Sequence, residues 1–205
     1  MKDEHEIIRL ARPVDESDHT LGLKSAATLV EYGDYECPYC RELHPLIQEM
    51  LKRTEGMRFV YRHFPINNLH PHAARAAEAA EAASSQGRFW EMHDALFEQE
   101  QTLDDKRLSR LARKVGLDME RYEREMGKGD YRSKVEEDFK AALYHEGVTG
   151  TPTLYLNGLR LSRIHSIDEL LSAVIEVGAS LKADSHEQHS WLHRLRNFRL
   201  GMTRL

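Results

Sequence analysis

Two cysteines, the only two in the chain, stand three residues apart where a β-type run gives way to a helix. Ala27-Thr28-Leu29-Val30-Glu31-Tyr32 is compact, apolar and β-branched, which predicts a central strand. Gly33-Asp34-Tyr35-Glu36 turns the chain into Cys37. A helix is expected from Pro38, because proline tolerates the first helical position. Leu43, Leu46, Ile47, Met50 and Leu51 supply its apolar face, Pro45 is expected to kink it, and Gly56 ends it.

A bond across two intervening residues restrains little of the unfolded chain, and a reducing cytosol does not keep it closed. The pair therefore reads as chemical. On the first helical turn Cys37 meets unpaired backbone N–H groups and the positive end of the helix dipole, which lowers a thiol pKa. Cys40 lies one turn deeper, more buried and more protonated, placed to resolve a mixed disulfide on Cys37. Zinc is the competing use of C-x-x-C. It needs two further ligands, and with no second C-x-x-C these fall to His44, His63, His70 or His72.

Met57 to Phe64 alternates as a second strand, stopped by Pro65. Residues 71–147 then read as helical throughout. Ala73 to Ala83 is alanine-rich, Phe89 to Phe97 is bulky and apolar, and Leu108, Leu111, Ala112 and Val115 repeat at helical spacing. Asp118 is a candidate cap for a helix bearing Tyr122 and Met126, and a last helix carries Val135, Phe139 and Ala142. Two short strands flank Asn157-Gly158, the signature of a type I′ hairpin. Ser166 and Glu169 form a capping-box pattern for a final helix. The order is β-α-β, helical block, β-β-α, an α/β class. It divides the chain into an N-terminal arm (1–25), a first half (26–68), a helical insertion (69–147), a second half (148–180) and a C-terminal tail (181–205).

Thr151-Pro152, in Gly150-Thr151-Pro152-Thr153, is open to two readings. Pro152 either starts a strand, or forms a cis peptide that faces Cys37 and offers the Thr151 backbone to an extended substrate. In the tail, Trp191, Leu195, Phe198 and Met202 share one helical face among Arg194, Arg196, Arg199 and Arg204. That face is expected to fold against the domain or a dimer mate, with an anionic membrane as the alternative.

A net charge of −5 argues against nucleic acid as a general partner. No run approaches the roughly 20 apolar residues of a membrane span. The acidic start, Met1 to Glu6, lacks a signal-peptide pattern, so a cytoplasmic location is expected.

The run Leu29 to Cys40, Gly87-Arg88-Phe89-Trp90-Glu91-Met92-His93-Asp94, His70-Pro71-His72-Ala73 and Gly150 to Thr153 resemble the DsbA-like branch of the thioredoxin superfamily. The likeness spans about residues 13–178. It looks particularly like stand-alone DsbA-like proteins and the thioredoxin-type domain fused to some sodium/proton antiporters. The resemblance implies a thioredoxin fold with an all-helical domain inserted between its βαβ and ββα halves. It implies Cys37 as nucleophile, Cys40 as resolving thiol, Pro38 and Tyr39 as the active-site loop, and Thr151 with cis Pro152 as the substrate-binding segment.

The expected activity is dithiol–disulfide exchange on protein or peptide thiols, with an electron donor or acceptor as partner and no cofactor beyond the cysteine pair. The alternatives are a glutathione-linked transferase or isomerase, with glutathione as co-substrate, and a redox-switched binding module. A homo-oligomer is compatible with all three. DsbA enzymes typically carry histidine where Tyr39 stands. Neutral Tyr39 cannot favour the thiolate, and Glu36 is expected to oppose it, partly offset by Arg41. The Cys37 pKa is therefore expected above the value of about 3.5 known for DsbA, and the couple less oxidising than about −120 mV.

Overall fold

The fold is described from a computed structural model covering residues 9–22 and 27–182. The strands are β1 (His19–Gly22), β2 (Ala27–Gly33), β3 (Thr54–Glu55), β4 (Met57–His63), β5 (Thr153–Leu156), β6 (Leu159–Arg160) and β7 (Ser180–Leu181). The helices are α1 (Pro38–Arg53), α2 (Ala73–Ser84), α3 (Phe89–Phe97), α4 (Asp105–Lys114), α5 (Met119–Lys128), α6 (Arg132–His145) and α7 (Ile167–Glu176).

The main sheet runs β1-β4-β2-β5-β6. β2 lies parallel to β4 and antiparallel to β5, so the Cys37 turn leaves the sheet from its centre. The two faces of β2 serve different cores. Ala27 and Leu29 join a large cluster with Cys40, Leu43, Ile47 and Met50 of α1, the alanines of α2, and Leu170, Leu171 and Val174 of α7. Val30 and Tyr32 face the other way, with Val60, Phe64, Tyr155 and Ala142 of α6. This is a thioredoxin fold with the helices α2 to α6 inserted between its βαβ and ββα halves.

Local rules explain most of the element ends. The Asp104 and Asp118 carboxylates accept from Arg107 N (2.7 Å) and Arg121 N (3.0 Å), capping α4 and α5. Asn157 (φ 48°) and Gly158 (φ 81°) both adopt the positive φ of a type I′ turn. Ser166 caps α7 through Glu169 N at 3.3 Å. Glu169 does not return its bond to the cap residue, however; it accepts from His165 N, one residue earlier, at 2.8 Å. Pro45 lies inside α1 and leaves the Arg41 carbonyl without its i+4 donor.

Two pairings have no counterpart in the sequence reading. β1 lies in the stretch read as an irregular arm and pairs antiparallel with β4. β3 and β7 form a separate two-stranded sheet joining the end of α1 to the segment after α7. The arm before β1 is fixed by a buried ion network. Arg62, 1% exposed, donates to both Asp18 oxygens at 2.8 Å and to the Arg12 and Pro13 carbonyls at 3.0 Å. The expected amphipathic face of the tail, Trp191 to Met202, lies outside the described residues.

Candidate active site

Gly33 ends β2 where no side chain fits: a Cβ there would stand 2.5 Å from the Tyr61 ring. Asp34 follows and organises the turn. One of its oxygens accepts from Glu36 N (2.8 Å), the other from Ile66 N and His70 Nδ1 (2.8 Å each). Its carbonyl accepts from Cys37 N at 3.1 Å. Cys37 is the N-cap of α1 and Pro38 occupies its first turn.

The two thiols are free, and their settings differ. Cys37 is 4% exposed and Cys40 is fully buried. The Cys37 pKa is lowered from an ordinary 9.0 to about 5. The largest cause is hydrogen bonding with the Cys40 side chain; burial opposes it, and bonding to Thr151 and to the Cys40 and Tyr39 backbone adds to it. Burial pushes Cys40 well above the ordinary thiol range, reinforced by its bond to Cys37 and by the charge of Glu31. The asymmetry expected of a nucleophile and a buried second thiol is thus present in the environments of the pair. Cys37 is less exposed than a freely accessible thiol, so a partner must approach along the surface beside it.

That surface includes Thr151, whose carbonyl oxygen lies 3.4 Å from Cys37 Sγ. The Thr151–Pro152 peptide bond is cis. A groove of about 480 Å³ opens from here, between Tyr39, Leu43 and Leu46 of the α1 side and the 149–154 and 160–165 segments. Tyr39 is 49% exposed, and the Arg163 guanidinium lies over its ring at 4.2 Å.

The carboxyl that faces the pair is Glu31. It sits on the same face of β2 as Ala27 and Leu29, is 2% exposed, and hydrogen-bonds with Cys40. Burial raises its pKa from 4.5 to about 8, helped by the negative charge of Cys37. The Cys40 thiol therefore has two acceptors, the Cys37 sulfur and the Glu31 carboxyl. In the sequence Glu31 reads as an ordinary strand residue. The available signal was a charged group on the buried-side alternation of a central strand.

Glu36, expected to oppose the thiolate, is bound elsewhere. Its carboxylate accepts from His72 N (2.8 Å), His72 Nδ1 (3.2 Å) and Leu103 N (3.2 Å), tying the turn to the helical block. The Arg41 Nε is buried without a hydrogen-bond partner. Neither group is among the main causes of the Cys37 shift.

The histidines considered as zinc partners are engaged away from the cysteines. His70 bonds Asp34, His72 bonds Glu36, His63 bonds Glu81 at 3.0 Å, and His44 Nε2 lies 3.5 Å from Asp94. Two metal-capable groups do occur among the described residues, His19 with His63 and Glu81, and His44 with His93 and Asp94; neither includes Cys37 or Cys40. In the first, one Glu81 oxygen accepts from both imidazoles, so hydrogen bonds already account for the arrangement.

A paired, asymmetric C-x-x-C at the start of a helix, facing a cis proline across a thioredoxin sheet, defines a thioredoxin-type redox protein. The chain belongs to the thioredoxin family, whose model, described as Thioredoxin, matches residues 15–176. Among curated proteins it is 40% identical over 178 residues to "Na(+)/H(+) antiporter NhaA 3" of Salinispora tropica, a match covering 86% of this chain and 27% of that protein. The chain thus spans about a quarter of the length of the curated relatives it matches. Among solved structures it is similar to a thioredoxin-like oxidoreductase from Silicibacter pomeroyi, with 31% identity and a TM-score of 0.70 over 79% of this chain and 92% of that one. Oxidised BdbD from Bacillus subtilis shares the fold at 22% identity, with a TM-score of 0.73 over 84% of this chain and 98% of that one. Among the described residues no helix is long and apolar enough to cross a membrane.

Proposed function

We propose that this chain catalyses dithiol–disulfide exchange on protein or peptide substrates, with Cys37 as nucleophile and Cys40 as resolving thiol. The observation that carries this reading is the asymmetry of the pair. Cys37 has a lowered pKa beside the Thr151 carbonyl, and Cys40 is buried and protonated behind it, against Glu31.

Acting as a reductant, the Cys37 thiolate attacks one sulfur of a substrate disulfide. The substrate S–S bond breaks, a Cys37–substrate disulfide forms, and the other substrate sulfur leaves as a thiolate. Forming the mixed disulfide removes the Cys37 charge that helps hold the Glu31 carboxyl protonated; the Cys40 proton passes to Glu31 in its ionised fraction, and Cys40 attacks the Cys37 sulfur. A Cys37–Cys40 disulfide forms, the second substrate thiolate leaves, and substrate has gained the two electrons that the pair lost. A partner dithiol restores the pair by the reverse steps; acting as an oxidant, the protein runs the same cycle backwards. In a reducing cytosol the cycle runs mainly towards reduction or isomerisation.

Pro38 and Tyr39 shape the loop between the thiols, and the Thr151 and Pro152 backbone borders the path of an incoming chain. No metal or organic cofactor takes part in these steps.

Replacing Cys40 by serine tests the reading. With Cys40→Ser, turnover should stop and a stable Cys37–substrate disulfide should accumulate, visible by mass. Undiminished turnover of Cys40→Ser with glutathione as reductant would instead establish the glutathione-linked monothiol alternative.

A further inference from the structure

The charges around the groove point to a class of substrate. The chain as a whole carries −5, yet the groove beside Cys37 is bordered by two arginines, Arg160 of β6 and Arg163 of the following loop. Neither forms an ion pair among the described residues. Burying or fixing a guanidinium without a carboxylate leaves its hydrogen-bonding fork available to a ligand. Arg163 is also held in place, over the Tyr39 ring at 4.2 Å, so its position is tied to the loop between the two cysteines. Glu42 on the α1 wall is the carboxylate that borders the groove. The rest of the lining is mixed, with apolar Leu43, Leu46 and Ile164 beside polar Thr149, Ser162 and His165.

We propose that the groove selects extended peptide segments in which an acidic side chain lies within a few residues of the reacting cysteine, with Arg160 and Arg163 receiving its carboxylate. This inference rests on the dithiol exchange proposed above and adds the charge of the substrate to it. An extended segment advances about 3.3 Å per residue, so a segment crossing Thr151 carries its flanking side chains into the groove. The contact with Tyr39 holds the planar Arg163 guanidinium at the groove, where its fork suits a two-pronged contact with a carboxylate.

The test uses the full chain at low salt, with three substrates. One is a small neutral disulfide, bis(2-hydroxyethyl) disulfide. The other two are disulfide-bonded peptides identical except for aspartate or lysine at the positions flanking the cysteine. The aspartate peptide should react with a kcat/KM about tenfold above that of the lysine peptide. That ratio should shrink with added salt, and Arg163→Glu should abolish or reverse it. Arg163 is exposed, so the charge reversal does not disturb the core. Arg160→Gln should reduce the ratio independently.

If all three substrates react but the two peptides differ by less than about twofold, the charge inference is overturned and the exchange chemistry stands. A ratio that survives both arginine replacements overturns it too. If not even the neutral disulfide is turned over, the exchange reading itself fails.

Discussion

The Cys37 sulfur lies 3.4 Å from the carbonyl oxygen of Thr151, although 114 residues and the whole helical block separate them in sequence. The contact forms because β5, which follows Pro152, pairs antiparallel with β2, which leads into Cys37. Tyr32 pairs with Thr153 in that ladder, and the register brings the two loops to one end of the sheet. The Cys37 sulfur and the Thr151 backbone are thus brought together by a single strand pairing.

The lowered Cys37 pKa sets the pH dependence of its reactivity. The thiolate fraction falls as pH drops through about 5 and is nearly complete by pH 7. Alkylation of Cys37 by iodoacetamide should follow a midpoint near pH 5, with Cys40 unmodified in the folded protein. A midpoint near the ordinary thiol value would show that the Cys40 thiol and the Thr151 side chain do not stabilise the Cys37 thiolate. The sign for stability follows from the same shift. The reduced protein should gain stability relative to the oxidised form as pH rises from about 5 towards 9, because the folded pKa lies below the unfolded one.

Glu31 carries the opposite sign. Its folded pKa, about 8, lies above the ordinary 4.5, so folding favours its protonated form. Its contribution is complete below about 4.5 and is lost as pH rises through about 8. Glu31→Gln should therefore stabilise the fold increasingly over that window, by up to about 1.4 kcal/mol per pH unit. The same replacement should slow resolution of the mixed disulfide by about a hundredfold, because it removes the proton acceptor beside Cys40. Denaturant unfolding at several pH values and rapid-quench kinetics read the two effects separately.

Asp34 holds three N–H groups from two segments: Glu36 N, Ile66 N and His70 Nδ1. Asp34→Ala should cost about 1–3 kcal/mol, since it leaves three part-buried donors without their acceptor. Asp34→Asn keeps an acceptor oxygen and should cost less. Equal losses from both, measured by chemical denaturation, would mean that the hydrogen bonds are not the source of the effect.

The arm is fixed by Asp18, whose carboxylate receives two bonds from Arg62 while both side chains are 1% exposed. Asp18→Ala leaves the Arg62 charge buried with only part of its partners, and should destabilise by about 3–5 kcal/mol. Amide exchange should also rise in residues 10–18, whose backbone contacts to Arg62 and Glu146 depend on that network. Unchanged exchange there would detach the arm from the network.

Local rules explain why part of this architecture is legible in the sequence. Pro38 marks the start of α1, Asn157-Gly158 the hairpin, and Asp118 the cap of α5, because each acts through its immediate neighbours. Cys37 and Cys40 are legible for the same reason: their chemistry follows from position on one helical turn. What escapes the sequence depends on distant partners. β1 has a short, mixed pattern and becomes a strand only against β4. The charge of Glu36 reads as a neighbour of Cys37, yet its carboxylate is bound by His72 and Leu103. Glu31 gains its meaning from Cys40 folding over it, and Arg163 from its stacking on Tyr39.

The central claim is that Cys37 and Cys40 form one reversible two-electron couple. Equilibrium titration in glutathione buffers, with the oxidised fraction read by thiol alkylation and mass, tests it directly. A Cys37 pKa of about 5 lies between the values of about 7 in thioredoxin and 3.5 in DsbA. The account therefore predicts a reversible intramolecular disulfide with a potential between about −270 and −120 mV. A protein whose two thiols never join at any buffer ratio would contradict it.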